Sequence, residues 1–424
     1  MKTARLLSCL LLPLASVGMA CASQARQGNP IDRHVRTADE FRRAVLEAKP
    51  NTRILLGPGD YQGPFFFSNV RGEQGRPIII AGEDPQHPPR IRGGGECLHF
   101  SSVAWLELKS LLLTDAGDNG LNMDDGGKVE MPSHDLLLSR IQVKNIGPEG
   151  NRDGIKLSGL DRFSLVNCSV ERWGSDGSAI DMVGCHHGTV KDCVFRQGGA
   201  SAVQMKGGCA DMRVTHCLFE NYGERGVNIG GSTGMPFFRP PVTSMPKNGR
   251  YEARAITVEH CTFTGGSTPV AFVGVDGARV ESNTIYLPQR WALRILQETR
   301  GQGFVPSRNG VFEKNLIVFH SDQWSEGGVN IGSGTAPDTF LFARNFWFCV
   351  DRPDRSSPKL PTPESQGVYG RDPLFRDAAK GDFRLNPESP AKGFGAEIPP
   401  TFLIRPLLTL LIGARLRPQT VPPH

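Results

Sequence analysis

The chain has 424 residues, including 50 glycines and 32 prolines, with 48 basic and 43 acidic side chains and a formal net charge of +5. So much glycine and proline with so little net charge suits a turn-rich all-β body and argues against a helical bundle or a disordered chain. The small basic surplus mildly favours an acidic partner, and no basic stripe interleaved with aromatic residues marks a nucleic-acid surface.

The N-terminus carries Lys2 and Arg5, an apolar stretch from Leu6 to Leu14, and then Gly18-Met19-Ala20-Cys21-Ala22. That order reads as a secretory leader over 1–22, so an exported protein is expected. Ala20-Cys21-Ala22 fits an ordinary cleavage site, and Cys21 is the alternative, a lipidated cysteine. Gly18 in place of Leu weakens the lipoprotein reading, and soluble export is preferred. No later segment is long enough to span a membrane.

In the segment 23–50, Thr37-Ala38-Asp39-Glu40 is a capping-box pattern. It predicts a short amphipathic helix with Phe41 and Val45 on one face, stopped before Pro50. Over 51–350 the chain repeats two phrases. DGIKLSG at 153, SAIDMVG at 178, SAVQMKG at 201 and RGVNIGG at 225 are each followed by a phrase such as SLVNCSV or GTVKDCVF. The cysteines of the second phrase stand at 168, 193, 217 and 261, in steps of 25, 24 and then 44, one period plus an insertion. A repeat of this length with short alternating strands and no helical periodicity predicts stacked β coils.

One period divides into a strand at Phe163-Ser164-Leu165-Val166, a corner at Asn167, a second strand from Cys168 to Arg172, a turn, and a third strand from Ser178 to Val183. Three short strands per coil give three parallel sheets. Cys168, Cys193, Cys217 and Cys261 share an inward position and are read as buried small apolar groups. Cys185 and Cys209 each precede a ladder cysteine by eight residues, which stacks them on adjacent coils at a separation compatible with a disulfide. The corner position is assigned to Arg140, Asn167, Asp192, His216, His260, Asn283, Asn315 and Asn345. Stacked asparagines there would satisfy the backbone of a tight bend.

With that ladder the chain resembles the right-handed parallel β-helix of the pectate lyase superfamily, over roughly residues 50–350. The resemblance implies an all-β, right-handed solenoid of roughly ten coils, closed at the front by the helix. Residues 351–400, with Asp372-Pro373-Leu374-Phe375 and Ser389-Pro390-Ala391, resemble the closing segment of such proteins and are read as an irregular cap. The tail 401–424, apolar from Phe402 to Ile412, has no assigned role.

The third strand of each coil contributes one outward residue to a column: His99, Asn122, Lys156, Asp181, Gln204, Asn228, Ala271, Arg294 and Asn330. Such a rail of donors and acceptors suits a sugar polymer, with an acidic polysaccharide as partner and a monomer as the working unit. The distance from column to corner is 11 residues at Lys156 and 12 at Gln204, but 18 at Asn122, 32 at Asn228 and 21 at Arg294. Three expanded loops therefore rise beside the rail, and the largest carries Phe237, Phe238, Arg239, Arg250, Tyr251, Glu252 and Arg254.

The resemblance to β-helix lyases implies β-elimination on a uronate polymer, with Lys206 as base and Arg225 as neutraliser of the substrate carboxylate. Lys156, Asp181, Gln204, Asn228, Arg239, Tyr251 and Arg294 are candidate substrate contacts. For Arg225 the structural alternative is an ion pair with Glu224 or Glu220, and for Lys156 an inter-coil salt bridge with Asp181. Asp124, Asp125, Asp153 and Asp176 are candidate calcium ligands, although no calcium-loop spacing connects them. Asn151-Arg152-Asp153-Gly154-Ile155 also resembles the Asn-Thr-Asp-Gly-Ile of polygalacturonases, which keeps a glycoside hydrolase as the alternative. The rest of that family's pattern departs: its paired Asp is Ser175-Asp176 here, and its Gly-His-Gly is Glu224-Arg225-Gly226. A third alternative is a non-catalytic carbohydrate-binding protein.

Overall fold

The computed structural model describes residues 29–397. The leader over 1–22 with Cys21, and the tail 401–424, lie outside the described residues. Within them the chain winds into three long parallel sheets of twelve, ten and twelve strands. In each sheet spatial order follows chain order, so every turn of the chain adds one strand to each face, as a right-handed solenoid does. One coil shows the plan: Leu160–Val166 lies in the first sheet, Ser169–Glu171 in the third and Ser178–Val183 in the second. Along Leu160–Val166 the inward Phe163 and Leu165 are buried while Arg162 faces water, the alternation that a one-sided sheet requires.

The single α-helix among the described residues, Ala38–Leu46, closes the front. Thr37 accepts from the Glu40 amide while the Glu40 carboxylate accepts from the Thr37 and Arg36 amides, the reciprocal cap read from the sequence. The helix buries Phe41, Ala44 and Val45 on the open end of the coil stack. The Phe41 ring meets Tyr61, Phe65 and Phe67 edge-on at 6.2, 4.9 and 5.5 Å. A fully buried Phe stabilises by about 2–3 kcal/mol, so this one side chain accounts for much of the cap's hold. At the back, Val368–Tyr369 adds a last strand to the third sheet, and Phe375–Asp377 pairs antiparallel with Asp382–Leu385.

The corner assignment needs a correction in its last three members. Arg140, Asn167, Asp192, His216 and His260 do stand at a left-handed bend, with φ between 51° and 56°. On the following coils the bend is made by Ser282, Lys314 and Arg344. Asn283, Asn315 and Asn345 fall one residue later, at the inward position that Cys168, Cys193, Cys217 and Cys261 hold on earlier coils, and all three are fully buried. The Asn283 Oδ1 accepts from the Cys261 amide at 2.9 Å. Asn283 and Asn315 each send Nδ2 to the Oδ1 of the next asparagine at 3.0 Å and also donate to backbone carbonyls. The cysteine ladder thus passes into an asparagine ladder within one column.

All eight described cysteines are free and buried. Cys185 and Cys209 stack on adjacent coils as the register requires, with the Cys185 amide 3.3 Å from the Cys209 Sγ, but no bridge joins them. Each thiol instead contacts a carbonyl of its own or a preceding strand, the behaviour of a small apolar residue with a weak donor. No described helix is long and apolar enough to cross a membrane.

Candidate functional site: the outward face of the ten-stranded sheet

Register fixes the column. Phe66, His99, Asn122, Lys156, Asp181, Gln204, Asn228, Ala271, Arg294 and Asn330 are successive partners across the ten-stranded sheet. Phe66 is an addition, because the first coil carries no repeat phrase from which to find it. The rail is not polar throughout. Ala271, Val273 and Leu296 form a small buried apolar cluster on this face, which separates Asn228 from Arg294.

At the centre two lysines meet one carboxylate. Lys156 Nζ donates to Asp181 Oδ2 and to Asp153 Oδ2, both at 2.9 Å, and Lys206 Nζ stands 3.2 Å from Asp181 Oδ1. The carboxylates are nearly inaccessible, whereas the Lys156 and Lys206 side chains are 30% and 20% exposed and form the part a ligand would meet. Burial opposes the charge on Asp181, but the Lys206 and Lys156 ammonium groups outweigh it and hold the carboxyl below its ordinary range. Asp153 goes the other way: burial, and then the Asp181 charge, raise it above the usual carboxylate range. Lys156 is also buried, yet Asp181 and Asp153 together raise it further into the ammonium form.

Further along, Arg225 begins its strand beside Ser201. Its guanidinium donates to Asn228 Oδ1 at 3.0 Å and pairs with Glu298 at 2.7 Å, rather than with Glu224 or Glu220. Arg294 donates to Asn330 Oδ1 at 2.9 Å and lies over the Trp291 ring. Ser178 donates to Gln204 at 3.2 Å.

Two sequence candidates leave the face. Arg239 turns down to form a bidentate pair with Asp125 at 2.5 and 3.0 Å, the carboxylate buried and the guanidinium largely covered. Tyr251 is buried at the entry to Ala253–Glu259 in the first sheet, with Arg254 over its ring at 4.9 Å. The candidate calcium carboxylates are not brought together either. Asp124 is held by His99 and Ser101, Asp125 by Arg239, Asp153 by Lys156 and the Ser178 amide, and Asp176 sits on an exposed turn. Among the described residues no group of three potential metal ligands is found.

The three expanded loops form one wall along this sheet. Asp125–Arg239 joins the first loop to the second. Phe238 packs against Phe304 at 5.4 Å, and Arg250 donates to the Gln302 carbonyl at 2.6 Å, joining the second to the third. Beneath them the fully buried Glu252 accepts from the Gly207 amide at 2.8 Å, the Thr233 amide and hydroxyl at 2.9 and 2.7 Å, and the Thr299 hydroxyl. Gly207 directly follows Lys206, so the same carboxylate anchors the wall and the end of the lysine's strand.

A further cluster occupies the first coils. His99 is clamped between Glu96 at 2.8 Å and Asp124 at 2.7 Å. Burial works against the imidazolium, but the two carboxylates overcome it and raise His99 to about 9. Glu96 also accepts from Asn119 and Asn122. The column included His99, and Asp124 was a calcium candidate, but nothing in the sequence joined them to Glu96, since the two coils lack the repeated phrase.

The family model for a right handed beta helix region matches residues 91–238. No curated protein matches the chain in sequence. Among solved structures, the alginate lyase from Paenibacillus sp. str. FPU-7 is similar with a TM-score of 0.51 at 16% identity, covering 72% of this chain and 99% of that one. The GH136 lacto-N-biosidase from Eubacterium ramulus gives 0.50 at 12% identity, covering 80% and 68%. Pectate lyase Pel9A gives 0.46 at 12%, covering 74% and 80%. At these identities the likeness is one of fold. The chain is a right-handed parallel β-helix protein, with the fold seen in an alginate lyase.

Proposed function

We propose that the protein is an exported polysaccharide lyase that cleaves a uronate-containing polymer by β-elimination on the outward face of its ten-stranded sheet. The observation that carries the reading is the Lys206–Asp181–Lys156 cluster with Arg225 on the next strand, beside a continuous loop wall. Elimination needs a cation to neutralise the uronate carboxylate and a base for the proton on the adjoining carbon. Arg225 supplies the first. Lys206, as a neutral amine on the strand beside Arg225, supplies the second. Lys206 takes the proton from the carbon next to the carboxylate, the electron pair forms a carbon–carbon double bond, and the glycosidic oxygen leaves with a proton from solvent or a neighbouring donor. The likeness in fold to an alginate lyase supports the substrate class without deciding it.

The test is a screen of acidic polysaccharides for a new ultraviolet-absorbing double bond. The expected result is product formation, with a loss of at least about a hundredfold in Lys206→Ala, as for removal of a general base. Unchanged activity in that variant would overturn the assignment of Lys206.

One observation favours a second reading. Asp153 and Asp181 share the Lys156 ammonium and are pushed in opposite directions, the pattern of an acid and base pair in a glycoside hydrolase. Their burial beneath Lys156 places them second. New reducing ends without the double bond would identify hydrolysis.

A further inference from the structure

Beyond the buried apolar cluster the ten-stranded sheet carries a second concentration of positive charge. Arg290 and Arg294 lie over the Trp291 ring at 4.1 and 4.5 Å, and Arg225 stands two strands away. Glu298 is taken by Arg225 and Glu326 by Asn330, so among the described residues no carboxylate is paired with Arg290 or Arg294. Burial first, and then the Arg225 charge, lower Arg294 from its ordinary value, against the opposing Glu298 and Glu224 charges. Several donors here also lack an acceptor. The Trp291 indole N–H, the Arg225 Nε and the Thr268 hydroxyl are buried without a hydrogen-bond partner, and Thr268 is the register partner of Arg225. Buried donors without acceptors cost about 1–3 kcal/mol each, so a cluster of them beside excess guanidinium charge fits a site completed by a ligand rich in acceptors.

We propose that Arg290, Trp291 and Arg294, with Arg225 at their edge, form a second subsite that binds an oxyanion, a carboxylate or sulfate, on a sugar further along the polymer than the one being cleaved. Adjacent strands lie about 4.8 Å apart, so Arg294 is about 10 Å from the Asn228 position and meets a different sugar of the same chain. Guanidinium forks suit the planar or tetrahedral oxygens of such groups. The inference rests on reading this face as the site of an acidic polymer, and it adds that the enzyme selects chains carrying charge at more than one position.

The experiment measures binding by calorimetry to an oligouronate, a sulfated oligosaccharide and a neutral cello-oligosaccharide of equal length, for the wild type, Arg290→Gln and Arg294→Gln. Arg290 is exposed, so its variant is expected to fold as the wild type does. Each variant should lose about tenfold or more in affinity for one of the acidic ligands, with a shallower salt dependence. The ligand that loses more identifies carboxylate or sulfate. Equal affinity for acidic and neutral ligands, or unchanged affinity in both variants, overturns the subsite. Elimination is followed separately by absorbance. Loss of acidic binding in a protein that forms no double bond would sink the lyase reading and leave the subsite standing. Normal elimination with unchanged variant KM would do the reverse.

Discussion

The Glu96–His99–Asp124 triad shows at single residues how a charge is held on this face. His99 has both ring nitrogens committed to carboxylates, so it orients neighbours rather than reaching for a ligand. Its folded pKa of about 9 lies above the unfolded value near 6.5, so its contribution is fully present below pH 6.5 and is lost as pH rises through 9. Glu96 and Asp124 are both lowered, burial opposing and the His99 and neighbouring hydrogen bonds prevailing, so their contribution is lost as pH falls below the ordinary carboxylate range. The stability of wild type relative to His99→Asn, from urea unfolding, should therefore be greatest between about pH 5 and 6.5 and shrink by pH 9.5. A difference that stays constant to pH 9.5 would show that the triad is not an ion pair. Individual outward residues such as Lys156 and Asp181 were legible in the sequence because the repeat numbers them. Their partners were legible only where the same repeat carried both: the Lys156–Asp181 bridge was anticipated, whereas the Arg225–Glu298 pair spans 73 residues and was not.

At the scale of an element, the ladder column shows what a repeat reveals and where it misleads. Asparagine favours a left-handed bend, and Asn167 occupies one, so aligning Asn283, Asn315 and Asn345 with it was the natural reading. The structure sets them one residue later, in the buried column that cysteines fill on earlier coils, where each asparagine bonds the backbone and a neighbouring asparagine of the ladder. The two halves of the column should differ in cost. Asn315→Leu removes an acceptor for the Asn283 amide and side chain and a donor to Asn345, leaving buried polar groups unpaired. A loss of about 3 kcal/mol is expected. Cys193→Ala removes a buried thiol whose contacts are to carbonyls and to the stacked Cys168 and Cys217, and about 1 kcal/mol is expected from lost packing. Denaturant unfolding of the two variants checks the contrast, and equal losses would show that the asparagines act only as space-filling residues.

For the whole molecule, coils and wall are held by different forces. Each coil touches its neighbours through backbone ladders and stacked apolar side chains, so stability is distributed along the solenoid. The wall is held by side-chain anchors, among them the Asp125–Arg239 pair, the Phe238–Phe304 contact, the Arg250–Gln302 bond and the Glu252 carboxylate, and by backbone bonds such as Arg239 to Gly207 and Arg250 to Gly303. Spacing revealed that three loops were inserted on the same side of the sheet. It gave no means of pairing Asp125 with Arg239 across 114 residues, so Arg239 was read as a ligand contact when it serves as a strut. Arg239→Met leaves the Asp125 carboxylate buried without its partner, a change of about 3 kcal/mol that falls on the wall because the pair joins loop to loop and no coil to another. The expected outcome is new proteolytic cleavage within residues 231–252 and a several-fold rise in KM for polymer, with the main unfolding transition of the coils little changed. Asp125→Asn combined with Arg239→Met removes the stranded charge and should recover part of the protease resistance. If the single variant keeps the wild-type cleavage pattern, the strut does not hold the wall. If it unfolds the coils together with the loop, the wall is part of the solenoid's stability and cannot move independently over a bound chain.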